Sequence, residues 1–195
     1  MVTTEQIAKL RADTGAGIMD AKRALKESDG NFNKAVQILR ERGVKVAQSK
    51  VSRATSQGLV EAYIHAGGRV GSLVEIACET DFVARTDKFK ELAHDIAMQV
   101  AAANPLYLVP KDVPADVLKQ EKAIYQKQLA EQGKKGAINE KIIQGKLEKF
   151  YTEVCLLKQP FIKDDKRKVE DLVNEAIATL GENIKVVNFS RFSLG

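Results

Sequence analysis

The chain has 195 residues, 44% of them hydrophobic and 29% charged, the size and composition of one ordinary globular domain or of a small one plus a medium one. No apolar run approaches the roughly 18 residues of a membrane span, and the two cysteines, Cys78 and Cys155, are too few for a disulfide framework or a zinc site. The net charge of +5 is spread among acidic residues, so it permits a nucleic acid but equally an acidic protein partner.

The start, Met1-Val2-Thr3-Thr4-Glu5, lacks the basic segment and apolar stretch of an export signal, so a cytoplasmic location is expected. Thr3 and Gln6 have the spacing of a capping box, which opens a first helix carrying Ile7, Leu10 and Arg11. Thr14-Gly15-Ala16-Gly17 breaks it, because two glycines allow positive φ at little steric cost. A second helix is predicted over 18–26. Ser28-Asp29-Gly30-Asn31 is a turn, and a third helix is predicted over 32–42, with Phe32, Ala35, Val36 and Leu39 on one stripe and Gly43 as its C-cap. Residues 1–43 thus read as a small three-helix domain, and the polar stretch 44–57 as a linker, helical in part.

Beyond it the period changes to two. A strand is predicted over 59–66, with Val60, Ala62 and Ile64 on one face, then a hairpin turn at His65-Ala66-Gly67-Gly68-Arg69, then a second strand over 70–78. The longest apolar stripe of the chain follows: Phe89, Leu92, Ala93, Ile96, Ala97, Val100 and Ala101, stopped by Asn104-Pro105. A helical pair is predicted over 115–157, broken by Gly133-Lys134-Lys135-Gly136. The run Lys163-Asp164-Asp165-Lys166-Arg167-Lys168 reads as a solvated loop. A last helix ends at Gly181, and a third strand covers 184–192. Residues 58–195 therefore read as an α+β core, a three-stranded antiparallel sheet covered by helices.

Little in the pattern suggests catalysis. A Cys78–His65 pair is conceivable across the hairpin, but Cys78 shares a face with Val74 and Ile76 and reads as a buried thiol. Gly67-Gly68-Arg69-Val70-Gly71 lacks the Lys-Ser/Thr ending of a phosphate loop. Two places suggest a partner instead. Ile18 and Met19 are adjacent apolar residues, and one helix face cannot bury both. Asp81-Phe82 sits where the strand pattern stops and the helix pattern starts. It reads either as a cap and a core aromatic, or as an aromatic offered to another protein.

Four segments together resemble bacterial elongation factor Ts: Leu10-Arg11-Ala12-Asp13-Thr14-Gly15-Ala16-Gly17-Ile18-Met19-Asp20; Val74-Glu75-Ile76-Ala77-Cys78-Glu79-Thr80-Asp81-Phe82-Val83-Ala84; Leu156-Leu157-Lys158-Gln159-Pro160-Phe161; and Leu180-Gly181-Glu182-Asn183-Ile184-Lys185-Val186. They stand in the family's order from the first helix to the last strand. The resemblance implies a ubiquitin-associated-like N-terminal domain and an α+β core. It also implies a translation factor, not an enzyme, that binds elongation factor Tu and promotes GDP release without a cofactor or metal of its own. Thr80, Asp81, Phe82 and Val83 would displace Mg²⁺ in the partner, while Arg11, Ile18 and Met19 would grip it. No direct nucleic-acid or membrane contact is implied. The chain is short for the family, and short members are expected to pair as homodimers in a two-plus-two complex. The alternative is a scaffold that binds through residues 1–43 alone.

Overall fold

The computed structural model describes residues 2–131 and 138–194. Helices α1 (Thr4–Thr14), α2 (Ile18–Glu27) and α3 (Phe32–Lys50) open the chain. The capping box is formed: the Thr3 hydroxyl accepts from the Gln6 N–H, and the Gln6 side chain accepts from the Thr3 N–H. Gly15, at φ 66°, closes α1 in the left-handed conformation. Leu10, Ala21, Ala24, Leu25 and Ala35 form a small core of their own.

α3 does not stop at Gly43, which is buried inside it, and the segment 44–57 carries its last turns. The reason is a stripe that runs on. Val36, Leu39, Gly43 and Ala47 keep three- and four-residue spacing, and Ala47 joins the main core. A Cβ placed on Gly43 would lie 3.8 Å from that of Ala178, so this part of the helix rests on the last helix of the chain.

Strands β1 (Gln57–Ile64) and β2 (Val70–Cys78) form a hairpin, and β2 also pairs antiparallel with the C-terminal strand β5 (Ile184–Ser193), giving the order β1-β2-β5. The expected α+β class is what the structure has. A bulge at Val187 shifts the β2–β5 register between Glu75 and Ile76. Behind the sheet lie α5 (Asp87–Ala103) and α8 (Val169–Leu180). Val74, Ile76 and Cys78 of β2 pack with Phe89, Leu92, Ile96 and Val100 of α5 and with Val169, Leu172, Val173 and Ile177 of α8. Val60, Ala62 and Ile64 do share a face of β1, but it is the outer one; Leu59, Glu61 and Tyr63 turn inward.

α6 (Ala115–Glu131) and α7 (Ile138–Val154) pack with Leu129 and Leu147 buried. The expected break at Gly133–Gly136 lies outside the described residues. The charged run read as a loop is in fact largely strand β4 (Asp164–Lys168), paired with the two-residue β3 (Pro160–Phe161). Buried Gln99 of α5 pins this hairpin. Its amide accepts from the Ile162 N–H at 2.9 Å and donates to the Pro160 carbonyl at 3.2 Å.

Candidate functional site: an exposed aromatic on a braced loop

β2 ends at Cys78, and after Glu79-Thr80 the chain makes one turn of helix, α4 (Asp81–Ala84). Thr80, not Asp81, is its N-cap, with the Thr80 hydroxyl accepting from the Val83 N–H at 3.4 Å. Asp81 is the first helical residue and pairs with Arg85 at 2.8 Å, one turn on, while Val83 packs against the core. Thr86 then caps α5 by accepting from the Phe89 N–H at 3.3 Å. Two caps within seven residues fix the direction of both helices and leave Phe82 on the outside of the corner. Its side chain is 80% exposed, more than any other large hydrophobic among the described residues. The core-aromatic reading of Phe82 is therefore excluded.

The loop's base is held by Glu79, Glu182 and Asn183, to which the sequence reading gave no role of their own. The Glu182 carboxylate accepts from the N–H groups of Glu79 (3.1 Å) and Thr80 (3.0 Å) and from the Thr80 hydroxyl (2.6 Å). In return the Glu79 carboxylate accepts from the Asn183 N–H at 2.6 Å and sits 3.4 Å from Arg53. The Asn183 amide donates to the carbonyls of Arg53 (2.8 Å) and Val51 (3.4 Å), and Lys50 reaches the Gly181 carbonyl. Three turns distant in sequence are thus tied together beneath Phe82. The one local signal was the polar pair Glu182-Asn183 directly after the helix-stopping Gly181.

Arg11, Ile18 and Met19 stand elsewhere, at the α1–α2 corner. The Arg11 guanidinium donates to the Ala16 carbonyl at 3.3 Å, which fixes the Thr14–Gly17 turn. Both apolar residues are outside, Ile18 at 56% and Met19 at 65% exposure. Arg11 also lines a cleft of about 620 Å³, together with Lys88 of α5 and Glu175 of α8. Burial pushes the Glu175 carboxyl above the ordinary carboxylate range, against the pull of Arg167 and Arg40.

The Cys–His pair does not form. Cys78 pairs with Gln57 at one end of the β1–β2 ladder and His65 lies beyond the other, roughly 26 Å away at ~3.3 Å per residue. Burial, reinforced by the Glu182 carboxylate, raises the Cys78 thiol, and burial pushes the Cys155 thiol up to about 11. Neither is a thiolate near neutral pH. Among the described residues no group of three or more His, Cys, Asp or Glu side chains is placed to hold a metal ion, and no helix is long and apolar enough to cross a membrane.

The fold and the site together define an α+β protein that presents an aromatic on a braced corner at one place and an apolar pair at a second. The model of the family described as "Elongation factor TS" matches residues 2–195. The chain is 53% identical to a protein named Elongation factor Ts from Carboxydothermus hydrogenoformans over 195 residues, all of this chain and 90% of the relative. It is 50% identical to one of the same name from Solidesulfovibrio magneticus, covering 97% of it, and 52% identical to one from Thermotoga maritima, covering 96%. The chain belongs to the elongation factor Ts family, and its role is that of a translation elongation factor.

Proposed function

We propose that the chain is the guanine nucleotide exchange factor of elongation factor Tu. It binds the GDP form of that GTPase and accelerates GDP release. The observation that carries this reading is the outward Phe82 ring on a loop whose base is fixed by hydrogen bonds. The ring acts as a wedge between elements of the partner near its Mg²⁺ site, with Thr80 and Val83 holding the corner. Asp81 brings negative charge against the ligands of the ion. Loss of Mg²⁺ removes the charge that neutralises the nucleotide phosphates, and GDP leaves faster. Residues 1–43 form the docking unit that grips the GTPase through Arg11, Ile18 and Met19, and the core 58–195 braces a second region of it.

Magnitudes require both contact regions. Weakening GDP by about ten-thousandfold takes roughly 5.5 kcal/mol of differential binding. Burying one Phe supplies about 1.5–3 kcal/mol. The remainder must come from a broad interface of at least about 1,000 Å². By linkage, GDP then weakens the factor's hold on the partner by the same ratio. A binder that used residues 1–43 alone would leave the exposed Phe82 without a role. The test is elongation factor Tu loaded with fluorescent GDP and chased with unlabelled GDP. The chain is expected to raise the release rate by orders of magnitude at micromolar concentration, and an unchanged rate would defeat the proposal.

A two-plus-two complex also has support. Ile64 and Phe192 flank Gly71 in one row across the outer sheet face, and Ala62 stands beside Leu73 in the next. Ile64, Leu73 and Phe192 are exposed there. A second copy burying the same face would make a closed, two-fold interface. Sedimentation of the wild type at about 20 µM should give a dimer and Leu73→Lys a monomer; a monomeric wild type rules this pairing out.

A further inference from the structure

We infer that Glu182 is a positioning residue for exchange: its carboxylate holds the Thr80–Val83 corner in the shape that presents Phe82 before any partner is met. The inference rests on the exchange-factor reading and adds to it a residue about a hundred positions from the corner it sets. Glu182 follows α8 directly, after Gly181 has ended that helix at φ 80°. Its two oxygens divide the work. Oε2 takes the N–H groups of Glu79 and Thr80, and Oε1 takes the Thr80 hydroxyl at 2.6 Å.

The third bond matters most for the ring. A threonine hydroxyl has one proton to donate. Here Glu182 receives it, which turns the oxygen's lone pairs toward the Val83 N–H and makes Thr80 the cap of α4. Phe82 sits between cap and capped residue, so its direction follows from that bond. The opposite arm is crossed over: Glu79 holds the Asn183 N–H at 2.6 Å, and Asn183 holds the Arg53 carbonyl at 2.8 Å. The carboxylate of Glu182 is therefore itself fixed.

The clamp does not serve the core alone. The ring whose direction it sets is 80% exposed and is not among the described residues that form or pack against the main core. A loop ordered in advance does not lose entropy on meeting its partner, so its contact goes into binding or distortion instead. A wedge has to be held against the surface it pushes, and a corner hinged freely at Thr80 would fold away.

Glu182→Gln keeps the shape and one acceptor but sets an amide N–H₂ against the Thr80 hydroxyl, which must then accept where it donated. Thr80→Val removes the hydroxyl altogether. The full chain carrying each is compared with the wild type by circular dichroism, by amide hydrogen exchange of the free protein and by fluorescent-GDP release from elongation factor Tu. We expect native spectra, exchange at the Thr80 and Val83 amides faster by about tenfold or more, and maximal stimulated release slower by about tenfold. Adding Glu182→Gln to Phe82→Ala should slow release no further than Phe82→Ala alone, because the carboxylate acts through that ring. Release by Glu182→Gln at the wild-type rate overturns the role of Glu182 alone, as does a full additional loss in the double variant. A wild type that leaves GDP release unchanged overturns the exchange reading and this role with it.

Discussion

Phe82→Ala will slow stimulated GDP release from elongation factor Tu by roughly ten- to a hundredfold and leave the melting temperature of the chain nearly unchanged. The two halves of this expectation come from the same number. At 80% exposure the ring contributes almost nothing to the chain's own core. Surface substitutions away from caps and ion pairs usually stay within about 0.5 kcal/mol. On the partner the same ring would be buried, and burying a Phe is worth about 1.5–3 kcal/mol. At about 1.36 kcal/mol per tenfold in rate, that range converts to the slowing stated. Truncation leaves the Thr80 cap, the Asp81–Arg85 pair and the Glu182 clamp in place, so the loop keeps its path. Stopped-flow release of fluorescent GDP at saturating factor measures the effect, with thermal melting as the control. A folded variant that releases GDP as fast as the wild type removes the wedge from the mechanism. A melting temperature lowered by many degrees would show instead that the ring packs within the chain.

What the sequence disclosed, and what it did not, divides by range. The capping box at Thr3–Gln6, the left-handed Gly15 and the stop at Gly181 are made by residues within a turn of one another, and each stands where the local pattern put it. The end of α3 was misplaced because Gly43 looks like a stop until the neighbouring α8 is known. The burial of Ala47 against the main core then carries the helix past it. β1 shows the limit of alternation. Val60-Ala62-Ile64 and Leu59-Glu61-Tyr63 are both plausible inner faces, and only the helix behind the sheet decides between them. The β3–β4 hairpin is short and charged, so its strand character comes from Gln99, some sixty residues earlier in the chain, rather than from propensity. At the candidate site, Phe82 was ambiguous for a related reason. An aromatic at a strand-to-helix junction is as often core as surface until the caps on either side are seen. The polar pair Glu182-Asn183 after Gly181 was a local signal, but what it holds was beyond reach of any local rule, since those atoms belong to residues 51–53 and 79–80.

Phe89→Ala, seven residues from the wedge, should do the reverse of Phe82→Ala. Phe89 stands in the first turn of α5, fully buried with Val74 and Ile76 of β2 and Val169 and Leu172 of α8. Removing a core Phe loses its transfer free energy and leaves a cavity that close-packed neighbours fill only in part, at a cost of about 3–5 kcal/mol. A domain of this size has about 5–15 kcal/mol in all. The urea midpoint should therefore fall by about a fifth or more while the slope changes little. The Thr86 hydroxyl still caps α5 through the backbone N–H of residue 89, which alanine retains, so the corner that carries Phe82 survives wherever the variant is folded. Stimulated GDP release per folded molecule should then stay within about threefold of the wild type at 15 °C in the absence of urea. A loss of stability below about 1 kcal/mol would contradict the packing described around Phe89. A folded Phe89→Ala variant that exchanged as poorly as Phe82→Ala would mean that the core beneath the corner, and not the exposed ring, sets the rate.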